Sequence, residues 1–112
     1  MKLSISRICL LLLCSCLGDL YDYELCIKNS RSHKITQVSK GKFATEVLQV
    51  DIMSTKSHCS IGKGDDEYKP STSFEYIRIL DENDTEIYNL RELEIDERFQ
   101  KKDELSFEWE IK

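Results

Sequence analysis

Leu105-Ser106-Phe107-Glu108-Trp109-Glu110-Ile111 decides the fold, because its odd positions are all apolar and its even positions are all polar. Successive side chains of a strand point to opposite faces, so this alternation describes a β-strand with one buried side and one wet side. The same period governs the other end of the chain. In Tyr21-Asp22-Tyr23-Glu24-Leu25-Cys26-Ile27 the residues of Tyr23's parity are apolar, and Cys26 shares the outward side with Asp22 and Glu24. Phe74 to Leu80 reads as a third strand. Asp81-Glu82-Asn83-Asp84 is a hairpin tip and Thr85-Glu86-Ile87-Tyr88 its return, since Asn and Asp tolerate left-handed backbone and bond their own turns.

The remaining stretches are less regular. Lys28 to His33 supplies turn chemistry before a β-branched strand at Lys34-Ile35-Thr36-Gln37-Val38. Ser39-Lys40-Gly41-Lys42 marks a further turn, and Phe43 to Ile52 is expected to be a strand covered on both faces for part of its length. Residues 54–71 have no usable period and contain the only proline, which predicts a long loop. Leu93 and Ile95 alternate with Glu92, Glu94 and Asp96, which predicts a strand over 91–96, although the composition of 90–102 favours helix.

Composition bounds what such a chain can do. With 112 residues, one Trp and 33% charged residues, there is room for one modest domain. Lys2 and Arg7 are the only basic residues ahead of residue 16 and no acid lies there, so the remainder carries a net charge of −7. That balance argues against nucleic acid as a partner. Residues 65–112 hold sixteen acids against seven basic residues, which serves solubility and also offers an acidic face to a basic protein.

The first sixteen residues form a different kind of segment. Lys2 and Arg7 give a positive start, and Ile8-Cys9-Leu10-Leu11-Leu12-Leu13 is an apolar run too short to cross a bilayer as a helix, which needs about twenty residues. Leu13-Cys14-Ser15-Cys16 then resembles the lipobox of bacterial lipoproteins, with an aliphatic residue, two small residues and the obligatory cysteine. The resemblance implies that the Cys16 thiol is alkylated by a diacylglyceryl group, the thiolate being the nucleophile, and that a signal peptidase cuts between Ser15 and Cys16. It implies residues 1–15 as signal peptide, 16–20 as lipidated tether and 21–112 as the domain. Two or three acyl chains of the palmitate type on one cysteine give a durable anchor where a single chain binds only marginally. The implied location is the cell envelope, attached to a bacterial membrane on its periplasmic or surface side.

Six or seven strands at this spacing predict an all-β fold, a small antiparallel sandwich that resembles immunoglobulin-like domains. The alternatives are an open β-barrel, or an α+β arrangement with a helix near 90–102. The Cys16 boundary followed by a Tyr-rich first strand and an Asn-Ser turn is similar to small envelope β-sandwich lipoproteins of gut Gram-negative bacteria. That likeness transfers no site residue beyond Cys16.

Few residues point to chemistry. The two histidines, His33 and His58, fit no Ser-His-Asp or Cys-His arrangement, and with Cys26 and Cys59 they match no zinc spacing. Gly62-Lys63-Gly64 lacks the second half of a phosphate loop, and Asp81, Asn83 and Thr85 lack the Gly and closing Glu of a calcium loop. Neither a catalytic residue, a metal nor a cofactor is therefore assigned. Cys26 and Cys59 survive processing, and an oxidising envelope favours a disulfide between them, while two reduced thiols are the open alternative. Most aromatic residues fall in strands and are expected in the core. The expected function is a non-enzymatic module that binds another protein at the envelope. The alternative is a lipoprotein that captures a sugar or a peptide.

Overall fold

The computed structural model describes Leu20–Lys112, so the lipobox and Cys16 lie outside the described residues. Among the described residues there are eight strands: β1 (Tyr21–Asn29), β2 (Ile35–Gly41), β3 (Leu48–Ile52), β4 (Ser57–Gly64), β5 (Phe74–Leu80), β6 (Glu86–Arg91), β7 (Gln100–Asp103) and β8 (Ser106–Ile111). A 3-10 turn covers Pro70–Thr72, and a short helix, α1, covers Leu93–Arg98. The described strands form two four-stranded sheets, ordered β4-β1-β8-β7 and β3-β2-β5-β6, packed as a sandwich and not closed into a barrel.

Alternation builds the core. Tyr23, Leu25 and Ile27 of β1 and Phe107, Trp109 and Ile111 of β8 point inward from the first sheet, and Ile35, Ile77, Ile79 and Leu90 meet them from the second. A fully buried isoleucine such as Ile77 contributes about 1.5–3 kcal/mol over its exposed state. Every pairing is antiparallel except that of β1 with β8, where the two terminal strands run side by side in the same direction. In the constant immunoglobulin arrangement the first two strands share a sheet. Here the β1–β2 connection crosses from one sheet to the other, so the likeness is one of layers and not of strand order.

Three expectations are corrected. The long loop predicted over 54–71 contains β4, which pairs with β1 along eight residues. Its inward positions are His58, Ser60, Gly62 and Gly64, and its apolar Ile61 faces outward at 62% exposure, so the usual apolar signal is inverted. The strand supplies space instead of bulk: a Cβ on Gly62 would fall on the Tyr68 hydroxyl, and Tyr68 stacks on Tyr23 with ring centres 4.5 Å apart. Only the second half of the strand predicted over 43–52 forms. Lys42 and Phe43 turn, Ala44 N–H donates to the Gly41 carbonyl, and Phe43 is 94% exposed.

The strand predicted over 91–96 is helix α1, in keeping with the composition. Glu92 takes φ of 50°, which ends the β6 ladder, and Ile95 and Phe99, four apart, are both buried. The Asp96 carboxylate fixes the helix by accepting bonds from the Ser71 N–H and hydroxyl at 2.8 and 2.6 Å. The helix is followed by β7, a short exposed edge strand of Gln, Lys, Lys and Asp that carries no apolar alternation.

The sandwich has two chemically different ends. At the end where the chain enters, Lys42 N–H donates to the Ser73 carbonyl and the Ser73 hydroxyl meets that of Tyr68, which stacks on Tyr23. The β2–β3 loop, the 65–73 segment, the β7–β8 turn and Leu20 therefore share this end. At the opposite end Asn29 ties the layers together. Its amide donates to the carbonyls of His33 and Ile52, and its oxygen accepts the Arg31 N–H.

Candidate functional site

The outer face of the β4-β1-β8-β7 sheet is built from the residues that alternation turns away from the core. β1 places Asp22, Glu24, Cys26 and Lys28 there, and β8 places Ser106, Glu108 and Glu110 beside them. Cys26 lies directly opposite Cys59 with 4.0 Å between Cα atoms, and the structure joins the two in a disulfide. Asn29 N–H bonds the Lys56 carbonyl, three residues along the ladder, which makes Cys26 and Cys59 a non-hydrogen-bonded pair, the closer of the two kinds. Cys59 thus sits on a strand and not in the loop expected for it.

Several charges on this face are paired or bonded locally. Lys63 approaches Asp22 at 3.3 Å, Lys102 approaches Glu108 at 3.9 Å, and the Ser30 hydroxyl donates to Glu110 at 2.5 Å. The Ser30 bond holds the Glu110 carboxyl below its ordinary value. Glu24 lies with Cys26 and Cys59 in a group whose ligand-type atoms are within 4.8 Å of one another. With both sulfurs in the disulfide, neither offers a thiolate to a cation.

A cleft of about 380 Å³ opens at the edge where β6, α1, β7 and β8 meet, lined by Tyr88, Arg98, Gln100, Lys102, Glu108 and Trp109 among others. Arg98 stacks over the Tyr88 ring at 5.0 Å, and Tyr88 packs edge-on against Trp109. Trp109 is itself buried, so the cleft presents mostly charged and amide groups. Five further rings, those of Tyr23, Tyr68, Phe74, Phe99 and Phe107, are core residues, whereas Tyr21 and Phe43 are exposed.

The end where the chain enters is apolar at its surface. Leu20, Tyr21, Phe43, Val47, Leu48 and Leu105 are exposed there, six of the nine large hydrophobic side chains exposed among the described residues. Tyr21 and Leu105 line one shallow hollow together with Lys101, Glu104 and Asp66. Among the described residues, the opposite end exposes Met53 alone of the large hydrophobics, amid Ser, Asn, Lys, Asp and Glu.

Of the histidines, His33 lies in the β1–β2 turn with its Nε2 3.6 Å from the Glu82 carboxylate, and half-buried His58 lies opposite Ile27 on β4. The apolar end is the feature that sequence reasoning missed. Periodicity identifies which residues leave the core, but only the topology shows which loop tips converge. Compared with family models, curated proteins and solved structures, the chain matches none.

Proposed function

We propose that this chain is the precursor of a lipid-anchored bacterial envelope protein, acylated on Cys16 after removal of residues 1–15, whose sandwich serves as a non-enzymatic module binding another protein. The observation that carries the reading is the run Leu13-Cys14-Ser15-Cys16 behind a positive start and a short apolar stretch, five residues ahead of the first strand. A cross-strand disulfide in a domain of this size agrees with export to an oxidising compartment. The module itself is read as protein-binding because most of its rings are packed inward, leaving a broad outer sheet face of mixed charge with Ile61 exposed upon it.

The charged cleft beside Trp109 favours a second reading, capture of a small charged ligand or peptide, since its volume lies near the lower bound of ordinary ligand sites. Metabolic labelling with an alkyne fatty acid tests the anchor: the wild-type protein takes up label and Cys16→Ala does not. Equal labelling of both, or of neither, removes the anchor. Cross-linking in intact cells followed by recovery from detergent extract then separates the two roles. A stoichiometric protein partner supports the module, and a small molecule retained in the native mass supports the cleft.

A further inference from the structure

We infer that the chain-entry end of the sandwich, led by Phe43, seats in the interface of the same membrane that holds the Cys16 anchor, so that the domain stands end-on upon the bilayer. The inference rests on the lipid-anchor reading and adds an orientation and a second membrane contact to it.

The first support is where the apolar surface lies. Single exposed hydrophobic residues are ordinary on a protein surface, but Leu20, Tyr21, Phe43, Val47, Leu48 and Leu105 come from three separate pieces of chain and converge on one end. Phe43 is the extreme case. At 94% exposure it stands at a turn tip between Lys42 and Ala44, free of the core and of strand pairing. An aromatic ring beside a lysine is the combination that settles at the boundary between headgroups and acyl chains, the ring in the apolar layer and the ammonium in the wet one.

The second support is where the chain enters. Tyr21 begins β1 at this same end, just after Leu20, and Cys16 lies five positions ahead of Tyr21. At no more than about 3.6 Å per residue, the tether reaches at most about 18 Å, which keeps this end, and not the polar one, against the lipid. Charge selects the lipid class. Lys42, Lys69 and Lys101 at this end are outnumbered by Glu46, Asp65, Asp66, Glu67 and Glu104, and Lys40 is taken by Glu75 at 3.1 Å. With no basic excess, the contact is apolar and does not depend on anionic lipid.

The experiment uses the full-length, processed protein extracted in detergent and returned to phosphatidylcholine vesicles whose acyl chains are brominated near the headgroup. Tryptophan is introduced as Phe43→Trp or Val47→Trp at the apolar end, and as Met53→Trp at the other, with the buried Trp109 as the shared background. Emission from Phe43→Trp and Val47→Trp is expected to shift to the blue and to be quenched by bromine, as for a ring about 5–10 Å into the boundary region. Met53→Trp is expected to emit as in water, and adding phosphatidylglycerol should strengthen quenching of neither.

Phe43→Trp emission equal in brominated and plain vesicles, on protein whose intact mass shows acyl chains on Cys16, overturns the end-on contact and leaves the anchor standing. Quenching of Met53→Trp to the same extent overturns the orientation. Loss of quenching when a protein partner or a second copy covers Phe43 in chemical cross-links assigns the surface to that partner instead. A mass without acyl chains removes the anchor and this inference together.

Discussion

Asn29 and Gln37 are both buried polar residues at inward-facing strand positions, yet their surroundings give substitutions opposite signs. The Asn29 side chain makes three hydrogen bonds, two from its amide to carbonyls and one to its oxygen from Arg31 N–H. Asn29→Ala strands those groups at a buried corner, where each unsatisfied group costs about 1–3 kcal/mol, so the loss should reach about 3 kcal/mol. Gln37 has its Nε2 on the Ser39 hydroxyl at 3.0 Å, while its Oε1 is buried with no partner. Gln37→Met keeps the volume and removes the orphaned acceptor, so stability should hold or rise by about 1 kcal/mol. Urea midpoints of the two variants check both signs. A loss of more than about 1 kcal/mol for Gln37→Met would mean that Oε1 has a partner in solution. Neither role is visible in sequence, where Asn29 belongs to a turn-like run and Gln37 is one polar residue in a β-branched strand.

Strands with apolar alternation, such as β1, β5 and β8, were legible because their period is their means of burial, whereas β4 and β7 were not. β7 is an edge strand with all four residues exposed, and β4 turns glycines and small polar residues inward to accommodate Tyr68. That ring arrives from four residues beyond the end of β4 and stacks on Tyr23, 45 residues earlier in the chain, so no local window contains the whole arrangement. The disulfide belongs to the same element. β4 brings little apolar bulk of its own, and the bridge from Cys26 to Cys59 spans 33 residues, which in the chain-entropy model is worth about 3–4 kcal/mol. Intact mass of unreduced protein after alkylation should show neither thiol modified. The paired substitution Cys26→Ala with Cys59→Ala should lower the thermal midpoint without changing the β-sheet circular dichroism, because the ladder to β1 is continuous on both sides of the bridge. Two alkylated thiols without a reducing step would mean that β4 is held by the ladder and by Tyr68 alone.

For the whole molecule, ionisation of a few placed groups sets the limits of stability on both sides of neutrality. Thr36 Oγ1 and then Lys34 donate to Asp51, the Leu105 N–H donates to Asp103, and Ser30 donates to Glu110; each bond holds its carboxyl below the ordinary value in the folded chain. A depressed folded value means that the unfolded chain takes up these protons first. Their contribution is therefore complete above the ordinary carboxylate values and is lost as pH falls through the lowered ones. The tyrosines act in the opposite direction. Burial pushes the Tyr23 and Tyr68 hydroxyls above the ordinary value of 10.0, although the Ser73 bond partly offsets this for Tyr68. With a raised folded value the unfolded chain loses its protons first, so stability is constant below pH 10 and declines above it. Thermal midpoints across pH should accordingly form a plateau through neutrality that falls in acid and again in alkali. The alkaline limb is the more specific test, because the stacked pair joins the 65–73 segment to β1 and lies over Gly62 and Gly64 of β4. Tyrosinate absorbance from this pair should appear only together with loss of the folded circular dichroism. If all five tyrosines ionise in one step near pH 10 while the dichroism is unchanged, the stack of Tyr23 on Tyr68 is open to water, and the packing that holds β4 in the sandwich is looser than the structure has it.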